Sequence, residues 1–333
     1  MAITTIEEAG KETIYYIGLA SDTKPSPASI LGGVAYVNTY FIETDTGNIY
    51  RLVSYASSGW VWRLVAIESQ QLVSNQFIEA IRGRHPEQSV VNKFGAITSS
   101  GTHTTWKPIC TSEAWFTPTA AVTLEAVSDD NTNDVAGGSG ARAIRIYGLK
   151  TPASTEEETE DVNLNGTTAV ALANQWWRIY RIKVIESGTY AGIGSYSHDS
   201  TIDVRETATP ANIWAQIGAD TTFGLSQSEI GCFSIPDGKT GVLLNYRIEV
   251  SDTNGSVNAI IAIRENADDV AAPFEPLQSK AIHRNMSAGK VITNDPDAPL
   301  EFITGPADVF GITRNGTNQS YDANIRMQIL VID

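Results

Sequence analysis

The sequence is short of the residues that build metal and redox centres. It contains two cysteines, Cys110 and Cys232, which are far apart and form no C-x-x-C pair. Its four histidines fall in no H-x-x-x-H or H-E-x-x-H pattern, so it offers neither a zinc motif nor a metalloprotease motif. Both cysteines lie in apolar, strand-like text, and we expect buried, reduced thiols. No cofactor is predicted.

Positive charge is also scarce. Lys and Arg total 23 against 38 Asp and Glu, which leaves a formal net charge of −15. Direct binding of DNA or RNA is disfavoured, because phosphate contacts need Lys and Arg. No apolar run approaches the ~20 residues of a membrane helix, and no basic start leads into an apolar segment. We therefore expect a protein without membrane insertion or signal peptide that is made in a cytoplasm.

Strand and turn residues are what the sequence has in abundance. Thr, Ser, Asn, Gly and Val are frequent, whereas residues 68–82 space their apolar side chains as a helix does. We predict a mainly β protein in three parts: an N-terminal anchoring β-meander over 1–67, a short helix and junction over 68–95, and a large antiparallel β-sandwich over 96–333. A jelly roll, or two sub-sandwiches meeting near 200–230, would accommodate a body of this length.

The N-terminal module is predicted to follow an unpaired polar arm over residues 1–13. About 55 residues bury too little apolar surface to be robust alone. We therefore expect this module to dock or self-associate, with a self-sufficient small domain as the alternative. Its predicted strands lie near 14–19, 35–43, 49–53 and 60–65. The predicted anchor or interface residues are Tyr40, Tyr50, Trp60 and Trp62 in this module, and Leu72, Phe77 and Ile81 in the helix that follows it.

Strand-like segments recur through the body every ten to twenty residues. The turn pairs at 165–166, 237–238, 254–255 and 315–316 are Asn-Gly or Asp-Gly, the strongest short hairpin signals. Residues 326–332 read as a buried final strand. The predicted strands are 90–94, 121–127, 141–147, 161–164, 176–185, 201–205, 213–217, 230–234, 241–250, 257–264, 301–304, 308–313 and 324–332.

Two loops contain residue types that can form a functional site. Asp129, Asp130 and Asp134 lie in a loop dense in oxygen ligands, which makes a weak calcium candidate. Their spacing does not match an EF-hand loop, and a solvated turn is the favoured interpretation. His198-Asp199 lies between serines, but no G-x-S-x-G elbow accompanies it, so we interpret this stretch as a polar loop.

The adjacent pair Trp176-Trp177 is the aromatic feature that we consider a candidate for binding. On a strand, neighbouring side chains point to opposite faces. One ring is therefore expected in the core. The other is a candidate for exposure, at a subunit interface or stacked on a sugar.

Two groups of motifs resemble proteins of tailed-phage particles. DTKP at 22–25, ETDTGNIY at 43–50 and the two tryptophans at 60 and 62 resemble a small module of tailed-phage virion proteins. From about residue 80 onward, the order of motifs is similar to that of a widespread family of tailed-phage and prophage structural proteins, although the acidic stretch 151–161 departs from it. The resemblance implies a place in a virion and no catalytic residue. The ordered motifs are GRHPEQSVVNKFG, NDVAGGSGARAIRIYGL, NLNGTTAV, WWRIYRIKV, IPDGKTGVLL and ENADDVAAPF.

Three functions remain open at this point. The preferred one is a non-enzymatic exterior virion protein, either capsid-decorating or a head or neck fibre, held by its N-terminal region. The alternative is a tail-fibre or receptor-binding protein that uses loops 129–140 and 151–161 against a host glycan or protein. A polysaccharide depolymerase is the third, and it needs a carboxylate pair that the sequence does not reveal. The expected partners are copies of the chain itself, with a trimer favoured, and other capsid, neck or tail proteins.

Overall fold

A computed structural model describes most of the chain beyond residue 86 and the strands before it. The described residues contain 22 strands and no helix, and all sheets beyond residue 86 are antiparallel. The prediction of a mainly β protein is confirmed. The predicted helix over 68–82, with Leu72, Phe77 and Ile81, lies outside the described residues. The described ranges are 4–7, 13–18, 21, 38–43, 49–55, 59–65, 87–99, 105–190, 197–219, 226–253, 256–269, 271–294, 301–315 and 320–333.

The chain divides into two compact units, Met1–His85 and Pro86–Asp333. The first unit contains one five-stranded sheet in the order β1-β2-β3-β4-β5. Its strands are β1 (Thr4–Glu7), β2 (Thr13–Gly18), β3 (Asn38–Glu43), β4 (Ile49–Tyr55) and β5 (Gly59–Val65).

Two expectations about this first unit are wrong. Residues 4–7 are not an unpaired arm, because β1 pairs antiparallel with β2. The sheet is not a simple meander either, because β2 and β3 run parallel. Parallel neighbours need a crossover of about a dozen or more residues, and the stretch 19–37 is long enough to provide one.

The second unit contains four antiparallel sheets. The outer sheet has the order β19-β16-β22-β6 with β20 beside β16, and the middle sheet has the order β15-β21-β17-β18 with β7 beside β21. A four-stranded sheet (β11-β8-β13-β14) and a three-stranded sheet (β10-β9-β12) complete the unit. The strands are β6 (Gln88–Ser99), β7 (Lys107–Pro108), β8 (Val122–Ser128), β9 (Ala141–Leu149), β10 (Glu158–Asn163), β11 (Val170–Trp176), β12 (Arg178–Ser187), β13 (Ile202–Glu206), β14 (Ile213–Ile217), β15 (Cys232–Ile235), β16 (Thr240–Thr253), β17 (Val257–Arg264), β18 (Gln278–Met286), β19 (Lys290–Thr293), β20 (Glu301–Thr304), β21 (Ala307–Asn315) and β22 (Tyr321–Ile332).

The central strands of the middle sheet, β17 and β21, are buried on both faces. Along β17, Ala259 and Ile261 point into the core that the middle sheet shares with the outer sheet. Ile260 and Ala262 point into a second core, which the three-stranded and four-stranded sheets complete. A strand buried on both faces reads as a continuous apolar run, and VNAIIAIR is such a run. One sheet therefore separates two hydrophobic cores.

The Asn-Gly and Asp-Gly turns join different sheets, so the expectation of hairpins at these points is wrong. Gly238 has a φ of 72° and connects β15 of the middle sheet to β16 of the outer sheet. The turn sequences after β16 and after β21 also separate strands of these two sheets, and Asn165-Gly166 lies between the three-stranded and four-stranded sheets. Each flanking strand has an apolar face, and the two strands stack face to face across a core instead of pairing edge to edge.

Two strand predictions need correction. The predicted strand over 176–185 is interrupted at Trp177, which lies between β11 and β12. The final strand β22 is buried on one face only, because its residues alternate between buried positions such as Ile325 and exposed positions such as Arg326. That exposed face forms part of the site described below.

Glycine permits a close approach between the outer and middle sheets. A Cβ atom on Gly95 of β6 would lie 2.1 Å from the carbonyl oxygen of Ile109 and 2.3 Å from the backbone nitrogen of Gly231. Both neighbours are backbone atoms, so neither can rotate away. The two chain segments can therefore touch only because position 95 has no side chain.

Candidate functional site

The outer sheet carries a groove of about 730 Å³ on its solvent face. Three neighbouring strands contribute alternate residues to it, while the intervening residues point into the core. We name it the β6–β16–β22 groove. Its nine outward residues are Asn92, Phe94 and Ala96 on β6, Asn324, Arg326 and Gln328 on β22, and Asn245, Arg247 and Glu249 on β16.

Strand register arranges these nine residues in three rows. Asn245 pairs with Gln328 and Gln328 with Asn92, which forms the first row. The second row runs from Arg247 through Arg326 to Phe94, and the third runs from Glu249 through Asn324 to Ala96. Strand spacing and rise make this surface about 10 Å by 13 Å. The backbone hydrogen bonds of three strands hold it, so its geometry is more rigid than that of a loop site.

The first row is a ladder of hydrogen-bonded amides. Asn245 Nδ2 donates to Gln328 Oε1 at 2.9 Å, and Gln328 Nε2 donates to Asn92 Oδ1 at 3.1 Å. A primary amide has two N–H donors and an oxygen with two acceptor sites. The ladder therefore leaves donors and acceptors available to a ligand.

The second row places two guanidinium groups side by side. Like charges at paired positions of a sheet destabilise each other. Arg247 Nη2 donates to Glu249 Oε2 at 3.1 Å. Within the described part of the chain, no carboxylate lies within ion-pair distance of Arg326. Glu229, at the margin of the groove, already has an interaction partner.

The calcium candidate is a hydrogen-bonded loop. The buried Asp134 carboxylate accepts four hydrogen bonds, from Ser128 Oγ at 2.8 Å and from the backbone nitrogens of Ala141, Asp199 and Ser200 at 2.8, 3.0 and 3.1 Å. These donors occupy the oxygens that a cation would need. Among the described residues no cluster of three His, Cys, Asp or Glu side chains is placed to hold a metal.

The two other aspartates of the loop lie nearer the surface. Asp130 accepts hydrogen bonds from the backbone nitrogens of Asn133 and Thr132, which lower its pKa to about 2. Asp129 is exposed, and its backbone nitrogen donates to the carbonyl oxygen of Thr201 at 3.0 Å. Of the three aspartates only Asp134 is fully buried, and its carboxylate connects this loop to residues 199–200 through their backbone nitrogens.

Trp176 and Trp177 are both completely buried, so the expectation that one ring is exposed is wrong. The two rings enter different cores, because neighbouring side chains of an extended chain point in opposite directions. Trp177 Nε1 donates to the carbonyl oxygen of Pro118 at 2.8 Å. Neither ring can stack on a sugar or a partner from these positions.

A buried ion pair lies where the three-stranded and middle sheets meet. Arg178 and Asp308 have no exposed side-chain surface, and Arg178 donates from Nε and Nη2 to the two Asp308 oxygens at 3.0 and 2.9 Å. Ser234 Oγ donates a further hydrogen bond to Asp308. Arg178 Nη1 donates to the carbonyl oxygens of Trp177 and Pro118, and its guanidinium lies 3.8 Å from the Trp177 ring centroid. This network is structural, because both charged side chains are buried and each guanidinium nitrogen has an acceptor.

Three more titratable side chains are buried without forming an enzyme-like cluster. Lys93 points inward and donates from Nζ to the carbonyl oxygen of Tyr180 at 2.6 Å, and burial lowers its pKa to about 8. Cys110 and Cys232 are free and buried, as predicted. Burial raises the pKa of Cys110 to about 11 and that of Cys232 well above its usual value, so both remain protonated thiols.

His198 is buried and belongs to the fold's hydrogen-bonding network. Its Nε2 lies 3.0 Å from the carbonyl oxygen of Gly218, and its Nδ1 lies 3.5 Å from Ser197 Oγ. The Asp199 carboxylate accepts a hydrogen bond from Asn133 Nδ2 at 2.9 Å.

The predicted anchor residues that the structure describes lie on three neighbouring strands of the first unit. Tyr40 is in β3, Tyr50 in β4, and Trp60 and Trp62 occupy alternate positions of β5. Tyr50 is half-buried and pairs in register with the buried Phe41. Their role as an anchor stays a prediction.

The solved structures that resemble this chain do so weakly. No family model matches the sequence, and no curated protein is similar to it. The structure of the infectious bursal disease virus Gt strain aligns at a TM-score of 0.19 with 11% identity, covering 74% of this chain and 72% of that chain. The Gx strain structure aligns at 0.15 with 10% identity (74% and 75% covered), and a mutant VP2 protein of the same virus in derived particles aligns at 0.16 with 9% identity (74% of each). TM-scores of this size do not establish a common fold.

Proposed function

We propose that the protein is a non-enzymatic structural component on the exterior of a tailed-phage particle. In this proposal it is a capsid-decorating protein or a head or neck fibre, and its N-terminal region anchors it. The observation that carries the proposal is how the two groups of phage-like motifs divide between the two units. ETDTGNIY spans the connection from β3 to β4, and the two tryptophans lie in β5 of the first unit. SVVNKFG and ARAIRIYGL form β6 and β9 of the second unit.

This division supports a modular design. A small sheet with one motif group would dock, and a larger body with the other would be displayed. The central strands β17 and β21 of the body's middle sheet are covered on both faces, while its outer sheet presents a polar face to solvent. A displayed domain needs such a surface to stay soluble at the high local concentration of a particle.

The β6–β16–β22 groove favours a second candidate, a tail-fibre or receptor-binding protein. A rigid polar groove suits the recognition of a host surface molecule better than a purely architectural surface does. A depolymerase has no comparable observation in its favour.

Immuno-electron microscopy of purified particles tests the proposal. Antibody label over the whole head would support capsid decoration, and label confined to the neck would support a fibre there. Label at the tail tip would favour the receptor-binding candidate. Purified particles that carry no label, although the antibody recognises the isolated protein, would refute a virion role.

Self-association is a separate part of the proposal. We propose that the chain forms a homo-oligomer, with a trimer favoured, because the first unit is too small to bury a large core by itself. Multi-angle light scattering at micromolar concentration measures the mass directly. A monomer would leave docking on other virion proteins as the only source of the missing burial.

A further inference from the structure

Among the described residues, only one of the two arginines at the centre of the β6–β16–β22 groove has a carboxylate partner. Arg247 and Arg326 are register partners, and Glu249 neutralises only the first of them. The chain as a whole carries a net charge of −15. Two exposed guanidiniums with one carboxylate in the neighbouring row are therefore a local exception. An anionic group placed over Arg326 would relieve the repulsion between the two guanidiniums.

The groups around Arg326 define what kind of anion fits. The amide ladder lies one row away on one side, and Asn324 lies one row away on the other. Amides offer donors and acceptors in equal measure, which matches hydroxyl groups, since each hydroxyl both donates and accepts. Phe94 is the third residue of the arginine row and lies beside Arg326. Its side chain is half-exposed, so the apolar face of a sugar ring can pack on it.

From this arrangement we propose that the β6–β16–β22 groove binds an oligosaccharide that carries a carboxylate group. The sugar carboxylate pairs with Arg326, whose planar guanidinium suits two parallel hydrogen bonds to a carboxylate. The hydroxyl groups of the same and neighbouring sugars bond to the ladder residues Asn92, Gln328 and Asn245. The groove volume of about 730 Å³ falls within the usual range for ligand sites, about 300–1,000 Å³.

A protein partner fits this surface less well. The buried centres of protein interfaces are depleted in charged residues and enriched in aromatic ones. Eight of the nine groove positions are polar, charged or alanine, and one is aromatic. A protein covering the groove would need to satisfy every one of these polar groups, whereas a polyhydroxylated ligand does so by its own chemistry. The proposal concerns the isolated chain and is independent of its place in a particle.

The test is binding of the full-length protein to an array of oligosaccharides. The array contains uronate oligosaccharides and their neutral counterparts, and titration calorimetry then measures the affinity of the retained compounds. We expect retention of acidic members, with affinity that falls as salt is raised because the contact is exposed. Arg326→Gln should weaken binding about tenfold or more, since hydrogen bonds to a charged group are the stronger ones. Arg284→Gln, at an exposed position on β18 outside the groove, makes the same charge change and should leave affinity unchanged.

A second variant separates folding from binding. Asn92→Ala removes one end of the ladder without touching the arginines, and it should weaken binding severalfold while the melting temperature stays within about one degree. Failure to retain acidic oligosaccharides would overturn the proposal, as would equal retention of neutral ones. Equal affinity of Arg326→Gln and the wild type would overturn it as well. A change in oligomeric mass on Arg326→Gln would show instead that a second copy of the chain occupies the groove.

Discussion

Asp308→Asn is expected to destabilise the second unit by about 3–5 kcal/mol, the usual cost of removing one partner from a buried ion pair. The substitution preserves shape but removes the negative charge. Asparagine offers one acceptor oxygen where aspartate offers two, and its N–H groups would face the Arg178 donors that now lie 2.9 and 3.0 Å from Asp308. Arg178 has no exposed surface, so water cannot replace the lost acceptor. Each hydrogen bond to a charged group contributes about 1.5–3 kcal/mol, which agrees with the expected total.

The molecule provides a matched control for this experiment. Arg145 also contacts Asp161 through Nε and Nη2, at 2.6 and 2.7 Å, but these side chains are 39% and 49% exposed. Asp161→Asn makes the same chemical change in the same geometry. Exposed ion pairs contribute little to stability, so its effect should lie near the limit of measurement.

Equilibrium urea unfolding followed by tryptophan fluorescence is the assay, because the Trp177 ring stacks on the Arg178 guanidinium. A double variant, Arg178→Met with Asp308→Leu, removes both charges together and should recover most of the loss. Equal costs for Asp308→Asn and Asp161→Asn would refute the reasoning, since both pairs join Nε and Nη2 of the arginine to the two carboxylate oxygens and only the first pair is buried.

Three further substitutions test other features of the second unit. Lys93→Met should raise the free energy of unfolding at pH 7 by up to about 3 kcal/mol, because the pKa of Lys93 is about 8 in the folded protein against 10.5 ordinarily. Between these two pKa values the unfolded chain binds more protons than the folded protein, so the stability of the wild type rises with pH over that window. The difference in the free energy of unfolding between Lys93→Met and the wild type should therefore disappear by about pH 10.5. A difference that does not change with pH would contradict this. Gly95→Ala should destabilise by about 1–3 kcal/mol or more, because a Cβ would meet the Ile109 carbonyl oxygen at 2.1 Å; Gly137→Ala, with nothing within 4 Å, is the control in the same chemical denaturation series. Asp134→Asn should lower the free energy of unfolding by about 1–3 kcal/mol, because it disrupts buried hydrogen bonds. Calcium should leave the melting temperature of the wild type unchanged. A calcium-dependent rise in the melting temperature of the wild type, absent from the variant, would support a calcium site instead.

The sequence was sufficient to predict strands with a strong apolar pattern. VNAIIAIR and ARAIRIYGL coincide with β17 and β9. The sequence does not predict strands β11 (VALANQW) and β18 (QSKAIHRNM), because both carry polar residues on exposed faces and alternate weakly between apolar and polar residues. Hydrogen bonding to a neighbour makes these segments strands, and that neighbour cannot be recognised from local sequence.

The candidate groove could not be predicted, because it exists only through long-range register. β6 and β22 lie at opposite ends of the second unit's sequence, yet Asn92 meets Gln328 and Phe94 meets Arg326. Each residue alone reads as an ordinary polar position on a half-exposed strand. Asn165-Gly166 and Asp237-Gly238 lie at turns, as predicted, but their residues do not distinguish a hairpin from a connection between stacked sheets.

Strands β17 and β21 of the middle sheet are buried on both faces, so burial of apolar side chains alone does not fix their register. In a sheet with one wet face, a shift of one residue exposes the apolar side chains and is strongly disfavoured. That penalty is weak for β17, where both faces are apolar. Asp308 supplies the missing discrimination: it sits opposite Ser234 of β15 and Arg264 of β17, and a one-residue slip of β21 would turn its carboxylate away from Arg178 into the opposite core. The ion pair therefore favours one register of β21 among several that apolar burial alone would allow.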